Sequence, residues 1–331
     1  SFNDNIASAQ KVDGDLSDYD ISYTKITPAH YGETKIIVRY IDEDNPENNK
    51  SAVANVTVLG HADDYRTAPH MGSGDEFTVA LKADGTVWTW GKNTEGQLGQ
   101  GGRTSDRNII PTQVTFSGLA SNAYITKIAV GKAHVVALDS DGNIWTWGDN
   151  TYGQLGDGTY GTSNVDKFVP RQVRIGQNES NTKLLTNIKY VAAGANSSAA
   201  IDQDGLLYVW GNNDNYQTGI TTNTLPISTP VKNTDMSQTI DITSGNASMM
   251  VQKGTGTVNV IGDNTNGKLA VGNNNSVNEI VAAKITDGTD FTGVLAAAVS
   301  SNGGMSAFIM QDGSIRTVGN NERGQLGDAI L

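Results

Sequence analysis

The chain contains no cysteine among its 331 residues. Disulfides and thiolate metal sites are therefore excluded, although the compartment is not fixed by that alone. Positive charge is also scarce. Lys and Arg number 23 against 35 Asp and Glu, giving a net charge of −12 and a pI near 4.7. An acidic surface repels phosphate, and there is no basic tail, so nucleic acid is a poor partner and none is expected. Long apolar runs are missing. The longest uncharged run, Phe291–Met310, is broken by Ser300, Ser301, Asn302 and the pair Gly303–Gly304. It reads as short strands, and no membrane insertion is expected. Amphipathic helical periodicity is hard to find. The chain lacks an initiator Met and a signal peptide, so it reads as a piece of something longer.

Glycine, by contrast, is abundant at 38 residues, and much of it is in register. Gly91, Gly148, Gly211, Gly262 and Gly319 recur at intervals of tens of residues, each after an apolar strand-like run. Six positions before each stands a second glycine: Gly85, Gly142, Gly205, Gly256 and Gly313. Four of these follow Asp84, Asp141, Asp204 and Asp312, a dipeptide that favours hairpin turns with positive φ at both central residues. Earlier still come Gly74, Gly131, Gly194, Gly245 and Asn302, and Asn is the residue that best replaces glycine in a left-handed backbone. After the anchor follows Gly-Gln-Leu-Gly at 96–99, 153–156 and 324–327, degraded to Tyr216–Gly219 and Gly267–Ala270. Spacing within a repeat is constant while spacing between repeats varies. That predicts a rigid unit joined by variable loops.

The strand after each turn is apolar on both faces. One face carries Ile144 and Thr146; the other ends in Trp90, Trp147, Trp210, Ile261 and Val318. Such a strand is covered on both sides, as radially stacked blades require. Trp147 is expected to be buried. The position two residues earlier, which holds Trp88, Trp145, Tyr208, Asn259 and Arg316, is expected nearer solvent. These repeats resemble those of the regulator of chromosome condensation family, over about Met71 to Leu331. The resemblance implies an all-β fold, a β-propeller with five repeats visible in a family that usually has seven blades. The array is expected to be cut at the C-terminus, because no strand follows Asp328.

Residues 1–60 differ in character. Ser1–Asp20 is polar and loosely patterned, and strands are expected at Ile21–Ile26, Thr34–Ile41 and Ser51–Leu59. The run Pro28, Gly32, Thr34, Ile36, Val38 resembles the second half of a bacterial immunoglobulin-like domain. Such a sandwich takes about seven strands, so only a partial β-sandwich is expected at 1–60, with a linker at 61–70 and the propeller at 71–331. That resemblance implies a bacterial protein that is extracellular or on the cell surface.

No catalytic residue, cofactor or metal is expected. His134 stands where other repeats have Phe77, Ser197, Ser248 and Met305, a set that points to packing. Asp13–Asp18 begins like a calcium loop but lacks the later Gly and Glu, and the acidic loop Asp42–Glu47 reads as a solvated turn. The glycine runs lack the Lys-Ser/Thr ending of a phosphate loop. Asp149, Asp157 and Asp263 are explained by hydrophilic turns, and no enzyme is expected. Recognition is expected on the loops after the anchor, where inserts occur at Asp157–Phe168 and Gln177–Thr186. Tyr152, Tyr160, Asp157 and Phe168 are the candidate binding residues, since exposed aromatics on a rigid scaffold make favourable anchors. The expected function is a non-catalytic module recognising a protein or cell-surface glycan. Alternatives are a soluble inhibitor similar to the propeller-type β-lactamase inhibitors, and a nucleotide-exchange factor for a small GTPase, as in eukaryotic family members.

Overall fold

The computed structural model describes the backbone strands 7–16, 19–28, 32–40 and 50–58. It describes 66–327 with side chains, except 162–166, 177–182, 221–223, 235, 285–287 and 301–303. The acidic loop Asp42–Glu47, Asn302, the chain end after Gly327 and parts of the linker and of both inserts lie outside the described residues. The chain divides into two compact units, Ser1–Pro69 with the turn Lys82–Gly85, and the remainder.

The first unit contains β1 (Ala7–Leu16), β2 (Tyr19–Pro28), β3 (Gly32–Tyr40) and β4 (Lys50–Val58). They pair antiparallel as β1 with β2 and β3 with β4. Strands β2 to β4 fall where alternation predicts them. Strand β1 was missed, because its polar and glycine-bearing sequence hides a period of two. In consequence Asp13 and Asp15, read as the start of a loop, stand in a ladder opposite Ser22 and Asp20.

The second unit is a succession of antiparallel sheets, each a meander in chain order. The first blade is β5 (His70–Ser73), β6 (Phe77–Leu81), β7 (Val87–Asn93) and β8 (Thr104–Gln113). The second is β9 (Ile125–Val130), β10 (His134–Asp139), β11 (Ile144–Gly148) and β12 (Lys167–Gln172). The third is β13 (Ile188–Ala193), β14 (Ser197–Asp202), β15 (Leu207–Gly211) and β16 (Ile227–Asn233). The fourth is β17 (Thr239–Ser244), β18 (Ser248–Lys253), β19 (Val258–Gly262) and β20 (Val277–Ala282). The fifth has three strands among the described residues: β21 (Val294–Val299), β22 (Met305–Met310) and β23 (Ile315–Gly319). First strands touch in sequence, β5 to β9, β9 to β13, β13 to β17 and β17 to β21, so the blades are arranged radially.

The hairpins differ in detail from the two-residue turn expected. Gly142 takes φ +80° but Asp141 does not. The Gly142 amide donates to the Asp139 carbonyl at 3.1 Å, and the Asp139 amide donates to the Asn143 carbonyl at 3.0 Å. The connection is a three-residue loop ending in a glycine bulge, which needs only one left-handed residue. The Asp139 carboxylate secures it by accepting the amides of Asp141 and Asn143 at 3.0 and 2.8 Å.

Four apolar layers lie between successive blades. In the first, Val79, Leu81 and Leu98 meet Val135, Ala137, Trp145 and Trp147. Trp147 is fully buried as expected. Trp145 is only 2% exposed, against expectation. Phe116, from the segment leaving the first blade, stands edge-on to both indoles at 5.6 and 5.7 Å. The Trp145 Nε1–H is satisfied by Asp139 Oδ2 at 2.9 Å. A loop residue distant in sequence therefore covers a position that strand pattern places at the margin.

Candidate functional site

The loops after the anchors are compact hydrogen-bonded units. In the second blade, Asp149 Oδ1 accepts the Thr151 amide at 2.8 Å, and Gln154 Oε1 accepts the Tyr152 amide at 2.8 Å. Gln154 Nε2 donates to Asp149 Oδ2 at 2.9 Å, and the Leu155 amide donates to Asn150 Oδ1 at 3.0 Å. Asn150, Gln154 and Leu155 are buried. The Gly-Gln-Leu-Gly signature is thus a folding element, because its side chains satisfy the loop's own backbone.

The same loop locks onto the next blade. Trp210 Nε1 and Ser198 Oγ both donate to the Gln154 carbonyl at 2.8 Å. Trp147 Nε1 repeats the contact on Gln97 O at 3.0 Å. Glycine closes the signature for a steric reason as well as a conformational one. A Cβ on Gly99 or Gly156 would stand 2.8 or 2.9 Å from the indole nitrogen of Trp147 or Trp210. His134 completes the lock in the second blade, with Nε2 3.0 Å from Ser198 Oγ. Burial pushes its pKa down to about 4.

Adjacent loops also touch along the rim. The Gly101 amide donates to Phe168 O at 2.8 Å, and the Gly158 amide donates to Ser228 O at 2.9 Å. Phe168 lies over Gly96, where a Cβ would be 2.3 Å from its ring, and Arg103 stacks on it at 5.1 Å. Asp157 accepts from Asn150 Nδ2 at 3.1 Å and from Thr159 Oγ1 at 2.6 Å, and pairs with Lys167 at 3.3 Å. Of the four candidate residues, the structure places Asp157 and Phe168 in the loop's framework. Tyr152 is half-buried beside them, and Tyr160 is 54% exposed at the insert's outer turn.

Exposed apolar side chains gather on these post-anchor segments: Ile109 and Ile110 in the first repeat, Tyr160 and Val169 in the second, Leu225 in the third. Sequence reasoning named only Tyr160 among them. Ile109 occupies the ladder position of Phe168, one residue past the partner of the anchor glycine. It is 82% exposed while Phe168 is half-buried on the preceding blade's loop. That contrast, not composition, marks it.

A second concavity escaped the sequence reading altogether. A cleft of about 680 Å³ lies between the fourth and fifth blades, lined by Ala270, Phe291, Phe308, Arg316, Val318 and Leu326 among others. Its sequence signal was available: Val318 replaces the tryptophan and Ala270 replaces the glycine that meet at the first two junctions. Among the described residues no group of three His, Asp or Glu could hold a metal ion. None of their helices is long and apolar enough to cross a membrane.

The sequence model of the RCC1-like domain family matches residues 34–330. The Ultraviolet-B receptor UVR8 of Arabidopsis thaliana is 28% identical over 239 residues, covering 71% of this chain and 51% of that protein. The mitochondrial RCC1 domain-containing protein RUG3 of the same plant is 33% identical over 147 residues, covering 44% of this chain and 29% of the relative. The chain thus spans about half or less of these curated relatives. Among solved structures, yeast RCC1 (Prp20) bound to Kap60 superposes with a TM-score of 0.60 at 20% identity, over 76% of this chain and 56% of that one. With a family match across both the interlocking loops and the stacked blades, this chain belongs to the RCC1-like domain family, β-propellers that serve as protein-binding modules.

Proposed function

We propose that this propeller is the non-catalytic recognition module of a bacterial secreted or surface protein, and that it grips a protein through the rim of post-anchor loops. The observation that carries the reading is the exposure of Tyr160 and Leu225 on those loops and of Ile109, Ile110 and Val169 on the strands β8 and β12 that follow them. The loops beneath them are internally hydrogen-bonded, so binding orders little that is not already ordered. Apolar anchors on a rigid frame suit a protein partner more than a glycan. A propeller of the same fold, yeast RCC1, is seen bound to the protein Kap60. The immunoglobulin-like pattern at 28–38 supports the secreted setting, with residues 1–60 as a stalk.

The test is a screen of immobilised propeller against surface proteins and cell-wall glycans, followed by titration of the Tyr152→Ala/Tyr160→Ala double variant. The expected loss is about 1–3 kcal/mol of affinity with unchanged unfolding. Because the chain is acidic, raising salt should slow association with a basic partner. A double variant that binds as tightly as the parent removes this rim from consideration. The shared fold with yeast RCC1 favours a second reading, a nucleotide-exchange factor. It predicts faster nucleotide release from a small GTPase on addition of the chain, and unchanged release across a GTPase panel discards it.

A further inference from the structure

The junction between the fourth and fifth blades differs from its predecessors in a way that leaves room. At the first junction the indoles of Trp145 and Trp147 fill the space beside the first blade's loop, with Phe116 edge-on to both. At the second, Trp210 enters against Gly156. At the last, the positions of Trp145 and Trp147 are held by Arg316 and Val318, as the shared register to the anchor glycines shows. Ala270 stands where Gly99 and Gly156 stand, with its own φ at +56°. A methyl group there would collide with the indole at the first two junctions; at the third, Ile261 holds the indole's position, and at the last no indole enters. At this junction opens the cleft of about 680 Å³, a volume in the range of small-molecule sites.

The chemistry of its walls is specific. Phe291 and Phe308 present an aromatic corner, with rings 4.8 Å apart and nearly perpendicular. The Arg316 guanidinium lies 5.8 Å from the Phe291 centroid and is solvent-exposed; it forms no ion pair within 4 Å among the described residues, although the Asp312 carboxylate feels its charge. Ser306, opposite Val318 in the ladder, is buried and its hydroxyl has no partner among the described residues. Its counterpart Ser198, opposite Trp210, donates to the same Gln154 carbonyl that receives the indole N–H. A junction whose fold accepts an indole, but whose sequence supplies none, is matched by a ligand with that shape.

We propose that this cleft binds a flat aromatic acid of indole size, its ring seated between Ala270, Val318 and Phe291 and its carboxylate facing Arg316. This site is built on the post-anchor loop of the fourth blade, contains none of Ile109, Ile110, Tyr160, Val169 and Leu225, and does not depend on the reading given above. The probes are indole-3-carboxylate and indole, titrated by calorimetry and by ligand-observed NMR. The parent should bind the acid saturably. Val318→Trp combined with Ala270→Gly restores the indole and its glycine, and should weaken the acid at least about tenfold while raising the thermal midpoint. Arg316→Ala leaves an exposed position altered and the fold intact. It should weaken the acid by about three- to tenfold and leave indole unchanged. Absence of saturable binding to the parent overturns the proposal, as does equal affinity of parent and filled variant. Should the filled variant fail to unfold cooperatively, Arg316→Ala decides alone, and unchanged affinity for the acid overturns the proposal.

Discussion

His134 and Ser198 share one hydrogen bond across the junction of the second and third blades, with Nε2 3.0 Å from Oγ. The serine hydroxyl gives its only hydrogen to the Gln154 carbonyl, so it must accept from the imidazole. That assigns the Nε2–H tautomer. Nδ1 is buried without a partner among the described residues and faces Gly131, where a Cβ would stand only 2.4 Å away. A proton on Nδ1 would be a buried, unsatisfied charge, which is why burial dominates the shift.

A pH dependence follows with a definite sign. The folded pKa is lowered to about 4 from 6.5. Between these values the unfolded chain takes up a proton that the folded chain refuses, so stability rises with pH across this window. The contribution is fully present above pH 6.5 and lost as pH falls to 4, and it is roughly 3 kcal/mol in size. Urea midpoints of the parent and of His134→Phe, compared from pH 4 to 7.5, should show the parent losing stability relative to the variant as pH falls. Parallel curves would contradict this assignment of the buried ring.

The two indoles of the second blade should matter about equally. Trp145 and Trp147 are both buried, and each has its N–H satisfied, by Asp139 and by Gln97 O. Trp145→Ala and Trp147→Ala are each expected to cost about 3–5 kcal/mol in a denaturation series. A loss at Trp145 below half of that at Trp147 would mean that Phe116 does not seal its edge.

The fourth loop keeps its geometry by a substitution in kind. Lys268 stands where Gln97 and Gln154 stand and donates to Asp263 Oδ2 as Gln154 donates to Asp149. The Lys268 side chain is 6% exposed, so Asp263→Ala strands a buried ammonium and should cost on the order of 3 kcal/mol. Lys268→Gln restores the repeat's own amide and should change stability by less than about 1 kcal/mol. Burial raises the Asp263 carboxyl, but hydrogen bonds from Lys268 and Thr265 outweigh it and leave the pKa lowered. Its stabilisation is therefore present above the unfolded carboxylate range and fades as pH falls below it. Thermal melts of both variants at neutral pH check the ranking.

The rim residues should separate by role. Tyr160→Ala alters an exposed side chain and should stay within about 0.5 kcal/mol of the parent in stability. Asp157→Ala removes a carboxylate bonded to Asn150, Thr159 and Lys167, and should cost about 1–3 kcal/mol. Chemical denaturation distinguishes the two, and a destabilised Tyr160→Ala would mark that ring as packing.

The fifth blade exposes an apolar pair. Ile309 and Ile315 oppose each other in the ladder at 49% and 72% exposure, and β23 has no further strand partner among the described residues. Exposed edges with apolar faces favour pairing between chains. Light scattering should show concentration-dependent self-association of the parent, reduced in Ile315→Lys. A parent that stays monomeric at high concentration would show this face to be inert.

Much of this molecule is local and therefore legible in the amino-acid order. Each hairpin glycine, each anchor and each Gly-Gln-Leu-Gly loop is specified within a few residues, because a left-handed backbone and a self-bonded loop need particular side chains at fixed offsets. Repetition then implies stacking, and strands apolar on both faces imply blades. What the order of residues could not decide was which neighbour covers which side chain. Trp145 is buried by Phe116, and Gln154 serves Trp210, through contacts tens of residues apart. Phe168 is half-buried because a preceding loop lies beneath it, while Ile109, at the same ladder position, stands exposed. The cleft by Val318 was hidden for the same reason: it opens where two blades meet, and only tertiary packing sets that meeting.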